Sequence, residues 1–140
     1  MFMNNTDQDS ARSREAPESR FAGPQHRFDL EATASELKQE VAAGQAGHRQ
    51  KMLYKRGPTS VSLFIFGRLT RLAAHRAKGV VTIHAIKGHL QVTAEGQSHD
   101  LHASNLLVLA PGVEHDVVAF EESQMLLTVH LTVDSNSATP

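Results

Sequence analysis

Residues 79–101 read GVVTIHAIKGHLQVTAEGQSHDL, and the spacing of their apolar residues decides the fold. Leu90 and Val92 alternate with polar neighbours, and Glu95-Gly96 stands where a tight turn is needed. That is the pattern of a β-hairpin with one buried face. With a side-chain period of two, the hydroxylated, charged and histidine residues of the hairpin take the opposite face. A further β-rich run, GVVTIHAI, precedes the hairpin across Gly88.

The same punctuation continues outward. KMLYKR, SVSLFIFGRL, SHDLHA, LLVLAP, DVVAF and MLLTVHLTV are short β-rich runs bounded by Gly, Pro, Asn and Ser. Counted with the stretch above they make about eight strands at close spacing with no long helix between them, which predicts an all-β antiparallel sandwich or barrel over residues 48–134. Ahead of them, residues 27–47 are expected to form a helix and a linker. Leu30, Ala34, Leu37 and Val41 recur at spacings of four, three and four, which gives one apolar stripe. Thr33 and Glu36 have the form of a capping box, and Gly44 and Gly47 supply a stop. Residues 1–26 are rich in Asn, Ser, Asp, Glu and Arg, carry two prolines and few large apolar side chains, and are predicted to be a disordered tail. Residues 135–140 are expected to be a flexible C-terminus.

Composition removes several function classes. The 140 residues suit one domain, and a net charge of −1 with no dense Lys/Arg block argues against nucleic acid as a partner. With no cysteine there is no disulfide, thiolate zinc site or cysteine nucleophile. The most apolar run, residues 61–67, is too short to cross a bilayer, so no membrane partner is expected. The first residues lack the apolar segment of a signal peptide, so a cytoplasmic location is expected. No Gly-x-Ser-x-Gly turn or phosphate-cradling Gly loop is present, and no catalytic residue is assignable. Nine histidines are many for this length, and histidine is the commonest metal ligand and the usual acid–base group near neutrality.

Two stretches, HRAKGVVTIHAIKGHLQV (residues 75–92) and SNLLVLAPGVEHDVVAF (residues 104–120), together resemble the two motifs of a small single-domain cupin of the RmlC-like superfamily. The resemblance covers about residues 61–131 and implies a jelly-roll barrel, the double-stranded β-helix. In that family three histidines and a glutamate or glutamine converge on one metal inside the barrel. Here Gly88, Pro111, Gly112 and His115 match the motif positions, and His75 matches the first histidine. Ala77 stands at the second histidine position and Val81 at the glutamate position. Ser104-Asn105 replaces the usual Gly-Asp turn, and Ala119 falls where many members have Asn.

The resemblance thus implies a ligand pocket lined by His75, Ala77, Val81, Ile83 and His115, drier and roomier than in a full metal cupin. His75 and His115 are the candidate ligands for a divalent metal such as zinc, nickel, iron or manganese. Two imidazoles fall short of the three or four protein ligands that hold such a metal tightly. A third would come from His130 or His84. If Val81 points inward, alternation turns His84 away, unless a bulge at Lys78-Gly79 reverses the register. The leading expectation is a small-molecule-binding cupin with a weakly held metal. The alternatives are a metal-dependent enzyme of dioxygenase, isomerase or lyase type, and a dimeric structural or regulatory module. A homodimer is expected because barrel edges expose unpaired ladder groups.

Overall fold

The period-two runs become nine strands in the computed structural model, which describes residues 20–40 and 47–132. In chain order they are β1 (His48–Arg56), β2 (Thr59–Phe66), β3 (Arg71–His75), β4 (Gly79–Lys87), β5 (His89–Ala94), β6 (Gln97–His102), β7 (Leu106–Leu109), β8 (His115–Ala119) and β9 (Ser123–Leu131). One antiparallel sheet has the order β1-β2-β9-β4-β7 and the other the order β3-β8-β5-β6. The expected count omitted β3. Its sequence, RLAAH, has no apolar alternation, and as an edge strand it is mostly exposed.

Burial follows the alternation. On β4, Gly79, Val81, Ile83 and Ala85 are buried, and the residues between them are half-buried. β5 and β8 repeat the pattern. Their inner side chains meet Phe64, Phe66 and Met125 in one core between the sheets. A second core lies on the outer face of the larger sheet, where helix α1 (Leu30–Lys38) sets Ala34 and Leu37 against Leu53, Leu63 and Ile65. β2 therefore needs apolar residues on both faces, and that is why it reads as the unbroken run LFIF.

The helix starts earlier than the capping box suggested. Asp29 is the N-cap, its carboxylate accepting from the Ala32 N–H at 3.0 Å. Thr33 lies inside the first turn and donates its hydroxyl to the Asp29 carbonyl. An acidic cap also suits the positive end of the helix dipole, which an uncharged threonine does not. Gln39 caps the other end, while Val41 and Gly44 lie outside the described residues. Arg49 on β1 donates to the carbonyls of Leu37 and Lys38, so its guanidinium satisfies orphan acceptors of the last turn.

The expected disordered tail is corrected over its last residues. Phe21 is buried, 5.5 Å from the Tyr54 ring and 6.4 Å from His26, because one aromatic side chain can cover apolar surface left bare beside β1. The rest of that tail, residues 1–19, and the C-terminal residues 133–140 lie outside the described residues. Among the described residues no helix is long and apolar enough to cross a membrane.

Gly88 joins β4 to β5 at φ +89°, and a Cβ there would lie 2.3 Å from the Glu122 carbonyl oxygen and from Ser123 Oγ. Ser123 is itself committed: its hydroxyl accepts from the His89 N–H and donates to the Glu121 carbonyl. Gly96 has a similar φ of +82° but open space around it. Urea unfolding is therefore expected to show Gly88→Ala costing about 3 kcal/mol or more, and Gly96→Ala only about 1 kcal/mol. Equal losses would mean that backbone strain alone, without the close approach, sets the requirement.

Candidate functional site

The turn after β7 uses Gly112 at φ +85°, and the Gly112 N–H donates to the Ala77 carbonyl at 2.9 Å. This ties the loop after β3 to the start of β8, and β8 begins at His115. There His115 is paired on one side with His75 at the end of β3 and on the other with Ala94 at the end of β5. Paired residues share a face. His115 is 2% exposed, whereas His75 sits on the edge strand and stays exposed. The two imidazole centroids are 4.4 Å apart at an interplanar angle of 57°.

Both rings are held the same way. His115 Nδ1 lies 3.0 Å from the Val113 carbonyl oxygen, and His75 Nδ1 lies 3.0 Å from the Ala73 carbonyl oxygen. A carbonyl only accepts, so each Nδ1 carries its proton and each Nε2 keeps its lone pair. Neither Nε2 has a hydrogen-bond partner among the described residues. Burial holds the His115 imidazole below its ordinary value of 6.5, the nearby His75 acting in the same direction and the Val113 carbonyl and Asp116 opposing. His115 also borders a recess of about 270 Å³ whose other described lining residues include Arg76, Thr93, Glu95, Glu114 and Asp116, on the outer face of the smaller sheet, and His75 is not among them. Arg76 pairs with Glu114 at 3.0 Å.

Other expected site residues fall elsewhere. Val81 and Ile83 lie in the packed core, and Ala77 packs against it. Phe64, Leu90 and Met125 belong to the same packed core as Val81, and Ile83 is fully buried in it. Neither proposed third ligand reaches the pair. Val81, Ile83 and Ala85 face the core, so strand alternation puts His84 on the outer face of the sheet. His130 pairs with Val80 on that same outer face, and its Nδ1 is bonded to the Thr59 hydroxyl at 2.9 Å. Among the described residues no group of three His, Cys, Asp or Glu could hold a metal ion. His89 and His102 stack at 4.3 Å on the hairpin, with Asp100 2.9 Å from His89 Nε2.

Glu95 and Thr93 belong to the recess and were not foreseen. The signal was available in part: the Glu95-Gly96 turn ends β5, and the missing fact was the Ala94–His115 register that brings this turn beside the histidine.

No family model matches the sequence, and no curated protein matches it. Solved structures do resemble the chain. A cupin superfamily protein from Desulfitobacterium hafniense DCB-2 is 19% identical with a TM-score of 0.64, the match covering 78% of this chain and 94% of that one. An RmlC-like cupin from Shewanella frigidimarina NCIMB 400 is 17% identical with a TM-score of 0.61, covering 71% and 90%. The fold is that of a cupin. Salicylate 1,2-dioxygenase from Pseudoaminobacter salicylatoxidans shares this cupin architecture at 14% identity and a TM-score of 0.66, over 81% of this chain and 39% of that one. Within this fold, His75 ends β3 and its partner His115 begins β8.

The depressed His115 value fixes a pH dependence. The folded protein holds this proton less tightly than the unfolded chain, so the unfolded state takes up more protons as pH falls below about 6.5. The associated stability is complete above that value and is lost as pH falls through the depressed folded value. Asp100, held low mainly by its hydrogen bond from His89, acts in the same sense only near and below 3.8, so the two windows separate. Urea unfolding at pH 7.5 and 5.5 should show a loss of stability on acidification that is smaller in His115→Gln. An unchanged difference between the two pH values would assign the loss to other histidines.

Proposed function

We propose that this protein binds a small oxygen-bearing molecule beside the His75–His115 pair, assisted by a divalent cation that the two histidines hold weakly through Nε2. One observation carries the reading: two adjacent imidazoles have their Nδ1 protons committed to carbonyls two residues earlier, which leaves both Nε2 lone pairs free. Anchoring one ring nitrogen so that the other can ligate is the usual arrangement around metal-binding histidines. The donor set fits an open, exchangeable site and not a closed structural one, since two protein ligands leave the remaining positions to water or to the ligand. Glu95, Glu114 and Asp116 outnumber Arg76 in the recess that His115 borders, and this excess of negative charge raises the local concentration of cations.

Within this reading the chain's own groups have separate tasks. The Val113 and Ala73 carbonyls set the tautomers, and the Gly112–Ala77 hydrogen bond holds the loop on which His115 is mounted. Burial keeps the His115 ring neutral at physiological pH, so that its lone pair is available as a ligand or hydrogen-bond acceptor. A bound cation would supply Lewis acidity toward an oxygen of the small molecule.

The test is calorimetric titration of the full chain with Ni²⁺ and Zn²⁺ at pH 7.5. Binding near one equivalent is expected, weakened by about tenfold or more in His75→Ala and in His115→Gln. His84→Ala and His130→Ala should bind as the parent does, because both residues lie on the outer face. Saturable binding that survives the combined loss of His75 and His115 would overturn the assignment.

A further inference from the structure

A larger recess of about 440 Å³ lies at the other end of the barrel, bounded by the end of α1, the start of β1, the ends of β2 and β4, and the start of β9. The geometry of β5 separates it from the His115 recess. One end of β5 is His89, whose N–H donates to Ser123 Oγ in the wall of this recess, and the other end is Ala94, paired with His115. Six residues of strand put the two ends roughly 17 Å apart. Among the described residues the two recesses share no lining residue.

The wall is apolar and the rim is cationic. Ile65 and Phe66 line the recess beside His48, whose ring lies 5.8 Å from that of Phe66, tilted by 33°. His48 Nδ1 is buried and has no hydrogen-bond partner among the described residues, so a polar group is held in this wall at a cost. Among the described lining residues three cations, Lys38, Arg49 and Lys87, stand against one carboxylate, that of Glu122. That is an excess of two positive charges, in a chain whose net charge is −1. Their engagement differs. Arg49 is bonded to the last carbonyls of α1, and Lys38 Nζ lies 3.6 Å from Glu122 in an exposed pair of the kind that contributes little. The Lys87 side chain has no ion pair or hydrogen bond among the described residues. Among the described lining residues the opposite recess has the reverse balance, with Arg76 against three carboxylates.

We propose that this second recess binds an organic anion with an apolar body, its carboxylate at Lys87 and Lys38 and its hydrocarbon against Ile65 and Phe66. The volume is within the range of small-molecule sites, about 300–1,000 Å³, and few charged groups beside an apolar wall is their usual composition. Neutral or cationic molecules of the same shape lack the partner that Lys87 needs. The charge difference between the two ends then sorts ligands: cations at the His115 end, organic anions here.

The test uses the full chain and three probes of one chain length: octanoate, octan-1-ol and octylammonium. In ¹H–¹⁵N spectra octanoate should shift the amides of Gly67, Lys87 and Gln124 and leave those of Ala94 and His115 in place. Octan-1-ol and octylammonium should bind about tenfold more weakly or worse. Lys87→Glu should weaken octanoate by about tenfold, while Lys87→Arg keeps it within about threefold of the parent. Lys87 is exposed, so both variants should retain the parent's spectral dispersion. Shifts centred on His115, equal binding of octylammonium, unchanged affinity in Lys87→Glu, or no saturable shift up to about 10 mM octanoate would each overturn the proposal.

Discussion

The row of residues that crosses β3, β8 and β5 at His115 is the constraint on which the site depends. His75, His115 and Ala94 stand side by side in that row, and hydrogen bonds at both ends of β8 hold it. At the far end the Ala119 N–H donates to the Thr70 carbonyl and the Leu69 N–H to the Ala119 carbonyl, each at 2.8 Å. At the near end the Gly112 N–H reaches the Ala77 carbonyl. A slip of one residue would turn His115 outward, carry Val117 and Ala119 out of the core with it, and separate the two imidazoles. The core therefore enforces the geometry of the histidine pair, one ring of which, His115, is buried with Val117 and Ala119 while the other stays exposed.

Packing and electrostatics divide the molecule differently. Packing gives two cores, one between the sheets and one under the helix, with the larger sheet between them. Charge instead separates the two ends of β5, acidic around His115 and basic around Lys87. Nothing in a net charge of −1 reveals this separation, because the two ends nearly cancel.

The sequence made the β architecture legible because half-buried strands must alternate, and β5 and β8 do so throughout and β4 as far as Ile86. The central hairpin was legible for a conformational reason as well. Glu95 and Gly96 take φ values of +49° and +82°, and a two-residue turn with both positive matches the right-handed twist of its strands. β3 was hidden because an exposed edge strand has no inner face to impose a pattern. For the same reason His75 could be aligned with His115 by motif but its exposure could not be read. The absence of a third ligand from His84 follows from alternation, whereas His130 needed the β4–β9 register, which depends on residues far apart in the chain. The capping box at Thr33 misled because Ser, Thr and Asp near a helix start are interchangeable in pattern, and only backbone geometry tells which one caps.

The two-sided burial of β2 has a consequence for folding errors. An ordinary half-buried strand that slips by one residue exposes its apolar side chains, and water penalises the mistake. In β2 a slip would exchange Phe64 and Phe66 for Leu63 and Ile65, so the misaligned chain would remain greasy on both faces. Only shape distinguishes the two alignments: the phenyl rings stack 6.1 Å apart and against His48 on one side, and aliphatic side chains meet the helix on the other. Lengthening the Gly57-Pro58 turn by one residue would thus be expected to trap collapsed chains with native-like far-ultraviolet dichroism and no fixed aromatic environment in the near ultraviolet.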